Sequence, residues 1–319
     1  MRIALQIAWN SFREILREPV YLLVTLSALL LIALLPMMTL FVFREQVKMV
    51  VDSAMATVMV FGWVLAVLCA ANAITREIAR GTAMAVLAKP VPRVSFILGK
   101  VIGVLLALLV FWGLTVMASM ISIRAATDQF RFDQTAVWIC FGSIALACLA
   151  AGIRNYLSQV SFAMNVVVFL LLLYPLAMVV IAMLGAGEGQ RLSYAWDALP
   201  AFVLVLYAVW AMGGLAIALS TRVSMLVNLN VCAVVFLVGL MSDYLLGRHA
   251  PHSLWARIGY AVVPNWQLLW LADALAADRV IPAAYMALAT VYLLCLLAIF
   301  VGLAAVLFQS REVGSQNIR

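Results

Sequence analysis

Long uninterrupted apolar runs constrain this chain more than any other feature. Several runs reach about 20 residues with almost no charge, which is the length a helix needs to cross a bilayer. Only 10% of the 319 residues are charged, whereas soluble domains carry roughly 25%. The short alternating segments typical of a transmembrane β-barrel do not account for runs of this length. The sequence therefore predicts an all-α polytopic integral membrane protein with about 6–8 transmembrane helices.

The boundaries of the apolar runs predict eight membrane spans in a single transmembrane domain covering residues 1–319. The fourth run is short, so a tilted, broken or partly inserted helix is also open there. Residues 44–52 are predicted to form a loop. The spans are 20–43, 53–75, 101–123, 136–151, 161–184, 201–220, 225–246 and 283–308.

The first 19 residues predict an amphipathic helix that lies in the membrane interface. Apolar side chains such as Trp9 and Phe12 recur at helical spacing, and polar ones, including Arg13 and Arg17, occupy the other face. A signal peptide would instead carry an unbroken apolar core. Pro19 is predicted to end this helix.

A polar, cationic segment at 76–100 interrupts the first half of the chain. Its basic excess predicts a cytoplasmic position by the positive-inside rule. Gly81 can end the preceding helix and Thr82 can cap a new one over 83–88, before Lys89-Pro90 makes the chain extended. An ordinary solvated connection would have the same composition. Its charged residues are Arg76, Glu77, Arg80, Lys89, Arg93 and Lys100.

The order of residues in this segment resembles a signature of type-2 ABC exporter permeases, E-x3-G-T-x4-L-x2-P-x2-R-x5-G-K. Here it runs from Glu77 to Lys100. The resemblance extends to the helix at 1–19, which matches the family's elbow helix, and to the end of the sixth run, L-A-I-A-L-S-T-R. It is weak over 136–184, which we interpret as an inserted helical hairpin.

The resemblance implies a permease subunit that moves an unidentified substrate outward. It pairs with an ABC ATPase subunit and with a second permease copy or a paralogue. ATP and Mg²⁺ would bind to the partner, so no cofactor is expected in this chain. Contact with the ATPase subunit is implied for Glu77, Arg80, Gly81, Thr82, Lys89, Pro90 and Arg93, with Arg13 and Arg17 of the elbow helix secondary.

An aromatic, proline-punctuated segment at 247–282 precedes the last span. Trp255, Tyr260, Trp266 and Trp270 are of the types that favour the membrane–water boundary. The family resemblance favours interfacial or re-entrant helical pieces on the outer side. The residues alone are equally consistent with an aromatic-rich external loop.

The distribution of charge predicts a multi-pass protein of the cytoplasmic (inner) membrane with both termini in the cytoplasm. Twelve of the 20 basic residues and four of the 13 acidic ones fall in the predicted cytoplasmic segments, a net +8. The partners expected on this topology include membrane lipids but no nucleic acid.

Several kinds of chemistry find little support in the sequence. No P-loop motif occurs, so ATP hydrolysis is expected on another subunit and this chain is not expected to be an enzyme. His249 and His252 lack nearby ligands for a metal site, and the five cysteines form no C-x-x-C pair. The spans hold few ionisable residues, which disfavours an ATP-independent carrier or channel, the alternative class, and also a membrane-embedded enzyme. The notable asparagines are interpreted as interhelical hydrogen-bond partners; they are Asn72, Asn165, Asn228 and Asn230.

Overall fold

The computed structural model describes residues 2–38, 45–79, 93–126, 132–185, 194–249, 251, 253–276 and 279–309. Within these ranges the structure is helical, with one isolated antiparallel bridge between Ala126 and Phe132. The helices are α1 Arg2–Arg17, α2 Pro19–Met38, α3 Gln46–Ala79, α4 Arg93–Ala125, α5 Gln134–Ser158, α6 Phe162–Gly185, α7 Leu199–Ser220, α8 Met225–Leu240, α9 Leu254–Val262, α10 Ala272–Ala276 and α11 Ala283–Gln309.

Seven of the described helices are long and apolar enough to cross a membrane, and they confirm the all-α polytopic prediction. They are α2 to α7 and α11. Helix α8 is apolar but shorter, at 16 residues.

The core of the bundle is formed by α3, α4 and α7, which pack against one another along their lengths. Helix α7 is the most enclosed span, because its sequence is apolar and rich in small residues on every side. Two indoles hydrogen-bond α4 and α7 together: Trp112 Nε1 donates to the Phe202 carbonyl at 2.7 Å, and Trp210 Nε1 donates to the Leu105 carbonyl at 3.0 Å. Tyr21 in α2 donates to the Ala107 carbonyl at 2.9 Å.

The remaining spans flank this core. The α5–α6 hairpin packs against α2 and α4, α8 packs against α3 and α7, and α11 packs mainly against α7. The outward faces of these peripheral helices are apolar, as expected of surfaces that meet lipid.

Several predicted boundaries were wrong. The third span, predicted to begin at residue 101, is part of α4, which begins at Arg93. Residues 46–52, predicted as loop, form the first turns of α3, because their polar residues end the apolar run without ending the helix. The short fourth run is part of a full helix, α5, which Asp133 caps by accepting the Ala136 N–H at 3.0 Å. The run predicted to continue to residue 246 ends as an α-helix at Leu240, and a π-helical turn, Asp243–Gly247, follows.

Two ends of the bundle can be distinguished. Helix α1, the start of α4, the α7–α8 turn and the end of α11 lie together at what we call the elbow end. The end of α8, the aromatic segment 254–270 and the start of α11 lie together at what we call the far end; there, Tyr285 donates to the Leu268 carbonyl at 2.5 Å. The first and last helices thus meet the same end of the bundle.

Candidate functional site

The elbow end is centred on the crossing of α1 over the start of α4, where the two backbones come very close. A Cβ added to Gly99 would lie 2.9 Å from the Ala4 carbonyl oxygen and 2.8 Å from Ile7 Cβ. At Gly103 it would lie 2.8 Å from the Ala8 carbonyl oxygen and 2.8 Å from Ser11 Cβ. Only glycine fits at both positions, as in the small-residue crossings of membrane helices.

Helix α1 has the amphipathic pattern that the sequence predicts, but its position depends on protein contacts as well as on the interface. Ala8, Ser11 and Ile15 are buried on the side that faces the bundle. Trp9 is exposed and packs against Phe12, with ring centroids 5.4 Å apart. The helix ends at Arg17, and Pro19 begins α2 rather than ending α1.

The predicted elbow residues Arg13 and Arg17 lie on the exposed face of α1. Together with the acidic side chains of the same face they line a shallow cavity of about 340 Å³. The structure thus presents side chains of both charge signs on this side of α1. The other residues around this cavity are Asn10, Glu14, Glu18 and Pro19.

Most of the predicted coupling residues lie outside the part of the chain that the structure describes. Arg80, Gly81, Thr82, Lys89 and Pro90 fall in 80–92, outside the described residues, as does the predicted short helix at 83–88. The backbones of Glu77 and Arg93 lie in the last turn of α3 and at the first residue of α4, and their side chains are likewise not described.

The helix ends that enter and leave segment 80–92 do lie beside α1. Asn72 and Ala73, near the end of α3, share a small cavity with Ser11 and Glu14 of α1. The start of α4 carries the α1 crossing itself. The structure therefore places the helix ends that flank segment 80–92 next to the elbow helix.

The burial of a lysine near the start of α4 was not predicted from the sequence. Lys100 is only 2% exposed, and its Nζ lies 5.8 Å from the centroid of the Phe96 ring, a cation–π arrangement. Phe96 in turn stacks on Phe308 near the end of α11, with centroids 5.7 Å apart. Arg222, after α7, donates from Nε to the Leu307 carbonyl at 2.9 Å. The end of α11 is thereby held at the elbow end from two sides.

The turn between α7 and α8 is fixed by an asparagine. The Asn228 amide donates to the Ala216 carbonyl at 3.0 Å and to Ser220 Oγ at 2.8 Å, linking the two helices. This confirms the interhelical role predicted for Asn228. The same prediction was wrong for Asn165 and Asn230, whose amides bond to the carbonyls of Ser161 and Leu226, four residues earlier in their own segments.

A second polar cluster lies at the far end, around the end of α8. Asp243 Oδ1 accepts hydrogen bonds from Tyr260 OH at 2.8 Å and from the Asn265 amide at 2.7 Å. The Asn265 backbone N–H donates to Tyr292 OH at 3.1 Å, and its Oδ1 accepts the Gln267 N–H at 2.9 Å. The hydrogen bond to Asp243 raises the pKa of Tyr260, because it favours the protonated phenol.

Trp266 anchors the aromatic segment beneath this cluster. It is fully buried, and its indole N–H points at the Val235 carbonyl, 3.4 Å away. A Cβ at Gly239 would lie 2.3 Å from Trp266 Nε1, so the indole lies directly on the backbone of α8. Residues 254–276 form short helical pieces, as the resemblance implies, and Trp266 within them is buried against other parts of the protein.

A sequence comparison identifies the family. The model of the family described as ABC-2 family transporter protein matches residues 5–248, about three quarters of the chain. The chain belongs to the ABC-2 transporter family. No curated protein matches it.

Membership confirms the resemblance read from segment 76–100 and makes the chain a multi-pass ABC transporter permease. The matched range includes most of the elbow helix, the whole of segment 76–100 and the α5–α6 hairpin. The family implies association with an ABC ATPase subunit. The aromatic segment 254–270 and α11 follow the matched range.

Proposed function

We propose that this ABC-2 permease is the membrane subunit of an ATP-driven exporter. It moves an as yet unidentified substrate out across the cytoplasmic membrane, and a separate ABC ATPase subunit, which binds ATP and Mg²⁺, drives it. This chain itself binds no cofactor and catalyses no reaction. A second copy of the chain or a paralogue completes the transporter, and lipids surround its apolar outer faces.

One observation carries this proposal: α1 packs across the start of α4, next to both helix ends that bound segment 80–92. Because the helix ends on both sides of segment 80–92 lie beside α1, a push on that segment would be transmitted to α3 and α4, two of the three core helices. The residues proposed to receive that push are Glu77, Arg80, Gly81, Thr82, Lys89, Pro90 and Arg93, with Arg13 and Arg17 of α1 beside them.

Affinity purification of the permease in mild detergent tests the partnership. We expect an ABC ATPase chain to co-purify, and we expect Glu77→Arg and Gly81→Val to weaken this association or to uncouple ATP turnover from the permease. Glu45→Arg is the matched control for charge reversal, because exposed Glu45 precedes α3 at the opposite end of the same helix. Purification of the wild-type permease without any ATPase would instead favour an ATP-independent carrier or channel.

Cysteine labelling tests the proposed orientation. With the five native cysteines replaced, a single cysteine at Ala83 should be labelled only from the cytoplasm, and one at Ser253 only from outside. Labelling of both from the same side would contradict a topology in which the elbow end, and with it both termini, faces the cytoplasm.

A further inference from the structure

The contact between α1 and α4 is made by backbone atoms and by side-chain carbons close to the backbone. The nearest atoms to an added Cβ are the carbonyl oxygens of Ala4 and Ala8, the Cβ and Cγ2 atoms of Ile7 and the Cβ atom of Ser11. A main-chain oxygen can yield only if the whole helix shifts. Contact at Gly99 and again four residues later at Gly103 fixes both the separation and the crossing of the two helices.

On the α1 side of the contact, the residue opposite Gly103 is the small residue Ser11. Ser11 is 2% exposed, and its hydroxyl has no hydrogen-bond partner within the described part of the chain. A buried hydroxyl without a partner destabilises a protein, so hydrogen bonding does not account for serine at this position. Its Cβ lies against Gly103, where a larger side chain would separate the helices.

The two glycines also lie near the start of α4, the helix that follows segment 80–92. A displacement of that segment would therefore be transmitted to α4 close to the glycines. Helix α4 begins at Arg93, so Gly99 and Gly103 are in its second and third turns. Neighbouring Lys100 packs on Phe96, which contacts α11. The start of α4 is thereby held between α1 and α11.

We propose that Gly99 and Gly103 are positioning residues that join α1 and α4 into one rigid unit. Helix α1 then follows α4 whenever segment 80–92 moves, and its polar face, with Arg13 and Arg17, is carried along. The second half of this inference rests on the proposed function; the first half, the rigid unit, does not.

Spin-label distance measurements on the permease alone in lipid nanodiscs test the rigid unit. Nitroxides at Asn10 on α1 and Leu106 on α4, both exposed, should give a narrow distance distribution. The double variant Gly99→Ala/Gly103→Ala should lengthen and broaden it. Gly113→Ala is the matched control on the same helix, since no described heavy atom lies within 4 Å of its added Cβ. An unchanged distribution in the double variant would overturn the proposal.

The complex with the co-purified ATPase tests whether α1 follows α4. Trapping with ATP and vanadate should leave the Asn10–Leu106 distance unchanged and should alter the distance from Asn10 to a label at Tyr156, on the peripheral hairpin. A change between Asn10 and Leu106, or none between Asn10 and Tyr156, would overturn it. The double variant should also lose ATPase stimulation by the permease at least about fivefold, while Gly113→Ala retains it.

The two arms separate the possible failures. If no ATPase co-purifies with the wild-type permease, the proposed function fails, and the nanodisc measurement still decides whether the two glycines lock α1 to α4. If the ATPase binds but the labels move independently, the exporter assignment stands and the rigid unit is wrong.

Discussion

The contact that holds α1 at the elbow end and the contact that holds the aromatic segment at the far end differ in their physical nature. At the elbow end, Gly99 and Gly103 of α4 lie against α1, including Ile7 and Ser11, and the contact depends on the absence of side chains at the two glycines. At the far end, the aromatic segment is held on α8 by hydrogen bonds around Asp243 and Asn265 and by one large indole, Trp266. The first contact is sensitive to added volume and indifferent to polarity, whereas the second is sensitive to the loss of a group.

Removal of Trp266 should have the largest effect, because this side chain fills the space between the aromatic segment and α8. We expect Trp266→Ala to lower the free energy of unfolding by about 3–5 kcal/mol, measured by SDS titration in mixed micelles. Trp255→Ala is the control, since Trp255 in the same segment is 81% exposed. Similar losses for the two variants would mean that the indole at 266 is not a packing anchor.

Loss of Asn265 should have an intermediate effect. Asn265→Ala removes the amide donor to Asp243 and the acceptor of the Gln267 N–H, which we expect to cost about 1–3 kcal/mol in the same titration. Asn230→Ala is a suitable control, because its exposed amide bonds only within its own helix in the described structure. A loss no greater than that of the control would mean that the aromatic segment is held by packing alone.

At the elbow end, deletion of a polar atom should act in the opposite direction. Ser11→Ala removes a buried hydroxyl that has no partner among the described residues and leaves the helix spacing intact, so it should stabilise the permease by about 1 kcal/mol. Ser11→Val adds volume against Gly103 and should destabilise it. Destabilisation by Ser11→Ala would show that the hydroxyl contributes a favourable interaction and that this end is not purely steric.

The smallest effect concerns pH and the phenol of Tyr260. Its pKa is higher in the folded protein, so its contribution to stability is complete below the unfolded value of about 10 and is lost as pH rises through the folded value. Stability of the wild type should therefore fall more steeply above about pH 10 than that of Tyr260→Phe. Equal slopes for the wild type and Tyr260→Phe would mean that the hydrogen bond to Asp243 does not raise the pKa of Tyr260.

Hydropathy was sufficient to predict seven of the eight spans, because each is a sum over some 20 side chains and single errors average out. The eighth run forms the shorter helix α8. Hydropathy could not find where α3 begins, since Gln46 and Lys48 mark the end of an apolar run while the helix continues past them. The amphipathic pattern of α1 could also be predicted from the sequence. Such a pattern identifies the polar and apolar faces of the helix, but it does not identify the helix that packs on the apolar face.

The contacts of the candidate site depend on how helices cross, which sequence spacing does not contain. Gly99 was visible as part of a signature, yet its role appears only once α1 lies on it. Trp266 carries the same boundary signal as Trp255, and only the position of α8 separates the buried indole from the exposed one. The sequence likewise does not distinguish the asparagines. In the structure the Asn228 amide bonds to another helix, whereas the amides of Asn165 and Asn230 bond within their own segments.

The shortness of α8 has a consequence for the surrounding bilayer. Helix α7 has 22 residues and is about 33 Å long, while α8 runs back beside it for 16 residues, about 24 Å. The hydrocarbon layer is about 30 Å thick, so we expect α8 to end inside this layer and the Asp243 cluster to begin at that depth. We therefore expect lipids that touch this side to thin locally. The permease should therefore favour thinner membranes, and a change in lipid acyl-chain length should affect the far end of the protein first.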